Sequence, residues 1–342
     1  MATLSPVPSG LIPPLTVDND LNHNGVITVI ASFALFLVVG SLGIRVYSAY
    51  NRRVYQLDDA TFAATVILAL AHIVTVFVQI HFGWGKSKSL IADQDRNRVE
   101  KAAYSADLLY VAILSSSKAS TALFYRTITF RSLLWMAYGL LIVILLCAPI
   151  TIILLAVRCS HQPWHDINNQ CPVLLSHWQI LTILDIILEV TILLYPVRSI
   201  LQLQIILSKK IIVILILGFR SFLIPIGAVH LHYMNRQVNS SDPTLEGSLA
   251  TILAELHVAL SVLVLTAPLM KPFIAAYVDE NGLAYTDDAS NSRKNPKLTA
   301  QCNQSYGTDC ALRPGNPLAK DRILKGIEIL VDREAVELHD RR

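Results

Sequence analysis

The amino-acid sequence predicts an all-α protein: a seven-transmembrane helix bundle with its N-terminus outside and a disordered cytoplasmic C-terminal tail. Seven separate apolar stretches run along the chain, each near the roughly 20 residues that a helix needs to cross a hydrocarbon core of about 30 Å. The composition is 53% hydrophobic and 15% charged, with a mean hydropathy of +0.50, far more apolar than a soluble domain, where about 25% of residues are charged. Lys and Arg gather in alternate connections, the pattern that the positive-inside rule produces. A net charge of +3 and a pI near 8.5, with no dense basic patch, exclude a nucleic-acid-binding protein.

Residues 1–25 have no Lys or Arg, carry Asp18 and Asp20, and are spaced by Pro6, Pro8, Pro13 and Pro14, so they are expected to form a disordered extracellular tail. Nothing in them resembles a cleavable signal peptide. The bundle is expected over 26–275, in stretches Val26–Ile44, Asp58–Ile80, Tyr104–Phe124, Leu133–Ala156, Trp178–Leu201, Ile211–Leu231 and Leu249–Phe273. The first connection carries Arg45, Arg52 and Arg53, the third Arg126 and Arg131, and the fifth Arg198, Lys209 and Lys210; these define the cytoplasmic side. The second connection opposes that assignment with Lys86, Lys88, Arg96, Arg98 and Lys101. Of two glycosylation tripeptides, Asn239-Ser240-Ser241 falls outside and Asn303-Gln304-Ser305 in the tail, so Asn239 is the predicted acceptor. The tail over 276–342 is polar and Pro-punctuated. Within it, 322–338 places Ile323, Leu324, Ile327, Leu330 and Val331 near helical spacing, which reads equally as an amphipathic membrane-surface helix, a partner-binding segment or disorder.

Cys159 and Cys171 share one predicted outer loop, an oxidising setting, and are expected to form a disulfide; the alternative is two unpaired loop cysteines. Cys147 reads as a small apolar helix residue, and Cys302 and Cys310 as free thiols in a reducing compartment.

Ionisable groups inside spanning helices each need a partner or an aqueous cavity. Glu189 lies eleven residues below Trp178 and Arg220 nine above Ile211, about 16 Å and 14 Å along the axis at 1.5 Å per residue. Neighbouring antiparallel helices would bring them to one depth, so an intramembrane ion pair is predicted, either a fixed pin of helix register or a switch. Asp185 sits one turn above Glu189 on the same face. Nearer the outside, Asp107, His72, Glu255 and His257, with Asp185, are candidates for a ligand pocket between the helices. His81, His230 and His232 either join it or face headgroups. Lys118 lies among Ser115, Ser116, Ser117, Ser120 and Thr121 and is expected to snorkel or to contact those hydroxyls. The seventh stretch has no lysine near its middle, so no retinal Schiff base, and no other cofactor, is expected.

Asp58-Asp59 opening the second stretch, Gly83-Trp84-Gly85-Lys86 after it, Lys118 followed by Phe124-Tyr125-Arg126, and Cys159 to Cys171 enclosing Trp164 form an ordered series. It continues with the acid-to-Pro196 spacing, Phe219-Arg220, and Glu255-Leu256-His257 before Pro268, Lys271, Pro272 and Phe273. In this order the chain resembles the fungal rhodopsin-domain family of seven-helix integral membrane proteins, which includes receptor-like members. It departs from that family in carrying Glu189 where Asp is more usual, Ser87 and Lys88 where a His usually follows the Gly-rich turn, and a longer interval from Glu255 to Pro268. The resemblance implies signal reception by analogy and no chromophore.

The leading expectation is therefore a non-enzymatic, receptor-like protein of the plasma membrane. It would sense a small molecule or surface cue from the outer half of the bundle and couple to a cytosolic signalling partner. A transporter or channel is the alternative, disfavoured by the absence of internal halves. An intramembrane zinc hydrolase using His72, His230, His257 and Asp107 ranks below both, because no two histidines stand at i and i+4 on one helix.

Overall fold

The structure, a computed structural model, describes residues 18–52, 57–128, 134–165, 171–201 and 218–267. The tail over 276–342 with its 322–338 segment, Asn303, Lys271, most of the N-terminal tail and the first half of the sixth apolar stretch lie outside the described residues.

Seven α-helices follow one another among the described residues: α1 Asn24–Arg52, α2 Leu57–Phe82, α3 Asp93–Ile128, α4 Leu134–Ala156, α5 Pro172–Leu201, α6 Leu223–Asn239 and α7 Pro243–Thr266. Short 3-10 turns stand at Lys88–Leu90, Pro163–His165 and Phe219–Phe222. All but α6 are long and apolar enough to cross a membrane, which makes six such helices among the described residues.

Helix ends depart from the apolar stretches wherever polar residues continue a helix beyond the lipid. α3 begins at Asp93 rather than Tyr104, with Asp93 and Asp95 in its first turn, where carboxylates complement the helix dipole. Arg96, Arg98 and Lys101 consequently sit on a polar helical extension, not in a connection. α5 and α7 open on Pro172 and Pro243, a position where the missing N–H is no loss. α6 runs on to Asn239, so the exposed predicted acceptor closes a helix rather than sitting mid-loop. α1 continues to Arg52, so Arg45 is helical rather than part of the first connection.

α3 is the central element, packing against α2, α4, α5 and α7, while α7 also packs on α1 and α6, and α5 on α6. Apolar side chains such as Phe36, Trp135, Leu146 and Leu194 point outward, as lipid contact requires. The end bearing Asn24 is closed by the turn after α2. Gly83 and Gly85 adopt φ of +108° and +86°, a region that a side chain disfavours. A Cβ on Gly85 would also stand 2.7 Å from Asn24 Oδ1 and 2.8 Å from Ile27 Cδ1. The segment before α1 lies along this turn, His23 N donating to Gly85 O at 2.8 Å and Ser87 N to Leu21 O at 3.0 Å.

Asp242, between α6 and α7, locks the same turn. Ser87 Oγ donates to its Oδ2 at 2.6 Å, the Lys88 amide at 3.0 Å, and Thr244 Oγ1 to its Oδ1 at 2.9 Å. Burial pushes this carboxyl up, but the donors outweigh it and hold the group below its ordinary value.

Candidate functional site: two buried polar layers

Arg220, on the 3-10 turn that leads into α6, faces Glu189 of α5 in a fork: Nε donates to Oε2 at 2.6 Å and Nη2 to Oε1 at 2.9 Å. Its remaining Nη1 donates to Thr121 Oγ1 at 2.8 Å. Bidentate geometry of this kind is the favourable form of a buried pair. Lys118 of α3 joins it, its Nζ 2.5 Å from Asp185 Oδ1 and 3.1 Å from Glu189 Oε1. The side chains of Lys118, Glu189 and Arg220 are 1–2% exposed and that of Asp185 is 14% exposed, so two cations and two carboxylates neutralise one another in a layer that is buried except at Asp185. The serines around Lys118 are not its partners: Ser117 Oγ donates to the Ser261 carbonyl at 3.3 Å, and Ser116 Oγ lies 2.7 Å from Thr65 Oγ1. Asp185, read from the sequence as a pocket residue, belongs to this charged layer.

Two turns along α3 toward the Asn24 end lies a layer of different character, centred on Tyr110. Its hydroxyl is 2.7 Å from His257 Nδ1, and its ring lies 4.9 Å from that of His230 and 6.2 Å from that of Trp178. His72 completes the ring group at 6.5 Å. Beside it is a cavity of about 40 Å³ whose wall includes His72, Gln79, Tyr110, Trp178, His230 and the Asp107–Arg158 pair. At roughly 10–15 Å³ per water position it admits about three waters.

Arg158 Nη2 donates to Asp107 Oδ2 at 2.8 Å, and its guanidinium covers the Tyr104 ring at 4.9 Å. Glu255 and His257, also read as pocket residues, are not on that wall. Both are buried behind it, Glu255 Oε1 lying 3.3 Å from His72 Nδ1 without hydrogen-bond alignment. His81 and His232 are exposed, whereas His230 is buried. No group of three or more His, Cys, Asp or Glu among the described residues is arranged to hold a metal.

A disulfide joins Cys159 to Cys171 with the α-carbons 5.6 Å apart. Cys159 follows Arg158 directly, and the Leu174 amide donates to the Cys171 carbonyl at 3.1 Å, so both half-cystines adjoin residues of the cavity wall. Glu100 of α3 holds this loop from below, accepting from Arg96 at 3.2 Å and meeting His165 Nδ1.

Three cations are partnered where sequence reasoning did not pair them. Besides Lys118 and Arg158, Arg45 lies 2.5 Å from Asp58 Oδ2 and 2.7 Å from Asp59 Oδ1, its guanidinium over Phe62 at 5.2 Å. The available signal was the acidic pair opening α2, which needs a cation across the short connection.

Multiple apolar helices with inward-facing charged and polar layers define a multi-pass integral membrane protein. The family model described as the fungal rhodopsin domain matches residues 44–276, and the chain belongs to that family. No curated protein and no solved structure matches it.

Proposed function

We propose that the chain is a receptor-like, non-enzymatic protein that crosses the membrane seven times with its N-terminus outside. A small molecule entering from the outer side occupies the cavity beside Tyr110. Its arrival repacks α3 against α5 and α6, the elements that the Lys118–Asp185–Glu189–Arg220 cluster ties together. A cytosolic signalling partner reads the change at the other face, and the plasma membrane is the site of action.

The observation that carries this reading is the vertical order of the two layers. A cavity with a polar wall lies two helical turns from a charge cluster whose members come from the three elements expected to move. A two-state element biased by a ligand is what reception requires.

The test is a thermal-stabilisation screen of purified protein in nanodiscs against charged, neutral and apolar small molecules. At least one compound is expected to raise the melting temperature of wild type, and not of His72→Phe, while changing the distance between labels on α5 and α6. If no compound class stabilises the protein through His72, the receptor reading fails. Glycosidase should shift the mobility of wild type and leave Asn239→Gln unchanged; modification at Asn303 would invert the topology.

A further inference from the structure

Two side chains of the cavity wall, each 1–2% exposed, hold a hydrogen-bonding atom without a partner, Gln79 Oε1 and Trp178 Nε1, whereas His72 Nδ1 turns to Glu255 Oε1 at 3.3 Å. The opposite end of the Gln79 amide is already fixed, Nε2 donating to the Ala102 carbonyl at 3.0 Å, so its oxygen faces away from that bond as a committed acceptor. An indole N–H can only donate, an amide oxygen can only accept, and an imidazole nitrogen does one or the other according to its tautomer. Unmet polar atoms in a low-dielectric interior are costly, and an acceptor and a donor left open around one cavity point to an occupant.

The wall also says what that occupant carries. Its two formal charges, Asp107 and Arg158, are bonded to each other. A carboxylate ligand would have to draw Arg158 away and strand Asp107; an ammonium ligand would do the reverse. Either must part a close ion pair in order to bind one member of it, a costly exchange. An apolar ligand such as a polyene would leave both orphan atoms unmet. A hydroxyl both donates and accepts, so one kind of group satisfies the indole and the amide oxygen together.

We infer that this cavity binds the hydroxyl-bearing end of a small neutral molecule, of polyol or sugar-alcohol character. This deepens the reading of the cavity as the sensory site and rests on it. The room available, about 40 Å³, matches about three water-sized positions. The ligand's hydroxyls take those positions, while the flat faces of Tyr110 and Trp178 flank its carbon skeleton. Asp107, whose side chain is 28% exposed, marks the side on which the rest of the molecule lies.

The test is calorimetric titration of the full-length protein in nanodiscs with neutral polyols from glycerol to myo-inositol, and with choline and succinate as charged counterparts. Saturable heat is expected with a polyol and not with the charged pair. Gln79→Leu and Trp178→Phe each remove one hydrogen bond and should weaken polyol binding about tenfold, the equivalent of about 1.4 kcal/mol. The melting temperature of each variant checks that it folds, and a His72→Gln variant, which keeps a hydrogen-bonding atom, should bind within a few-fold of wild type. Choline or succinate binding that Gln79→Leu abolishes would overturn the neutral class while leaving the sensory cavity standing. Absence of any polyol binding to folded wild type would overturn the inference, and the His72-dependent screen above would still decide the receptor reading separately.

Discussion

The layer around Lys118 and the layer around Tyr110 lie eight residues apart on α3, about 12 Å along the axis, yet they treat buried polarity in opposite ways. In the first, the side chains of Lys118, Asp185, Glu189 and Arg220 bind one another, and none leaves a buried atom unpartnered among the described residues. In the second, His72, Gln79, Trp178, Glu255 and His257 each leave at least one atom unmet. A saturated network holds helices in discrete arrangements, because a partial displacement strands a charge. An unsaturated one surrounds space that something else can fill. The comparison teaches that polar residues inside a membrane bundle do not form one class: their degree of satisfaction separates framework from receptive surface.

Arg220→Leu is the harshest way to break the comparison. It leaves Glu189 with Lys118 alone and should lower stability by roughly 3–5 kcal/mol, read as the loss of melting temperature and of yield in detergent. Exchanging the two charges, Glu189→Arg with Arg220→Glu, should rescue little, because the new arginine would face Lys118, whose Nζ lies 3.1 Å from Glu189 Oε1 in the native protein. Full recovery in the exchanged protein would mean that Lys118 is not part of the cluster.

Trp178→Phe sharpens the other side. It removes an N–H that has no protein partner and shrinks the ring system at a buried site, so its cost is that of a small cavity, about 1–2 kcal/mol. A loss as large as that of Arg220→Leu would show the two layers to be energetically alike.

The smallest effect expected lies outside the membrane, at Asp242. Because its folded value is depressed, its stabilisation is fully present above the ordinary carboxylate range and is lost as pH falls through that lowered value. The difference in melting temperature between wild type and Asp242→Asn should therefore shrink on acidification; a gap that widens would contradict the bonds from Ser87 and Lys88.

Hydropathy made the apolar helices legible, because lipid-facing residues advertise themselves one by one. Depth was legible too: counting 1.5 Å per residue set Glu189 and Arg220 at one level. Rotation about each helix axis was not, and rotation decides which charges meet. Lys118 looked surrounded by its sequence neighbours Ser115 to Thr121, yet its ammonium reaches across to α5. Arg45 looked like a loop residue because the apolar stretch ends at Ile44, although the helix continues to Arg52. Asp107 and Glu255 were read together as one pocket from their similar depth, whereas only Asp107 borders the cavity. The family resemblance carried the fold and left these partnerships open, since they depend on contacts between distant segments.

Trp84 belongs to the Gly-rich turn and also to the cavity wall, with its indole N–H donating to Thr251 Oγ1 at 2.8 Å. The turn carrying it is pinned by the segment before α1 and by Asp242. A Cβ on Gly247 would come within 2.6 Å of its ring, so the indole fills its slot with no slack. A turn fastened this way ties the N-terminal segment, α2 and α7 into one unit that loosens all at once or not at all.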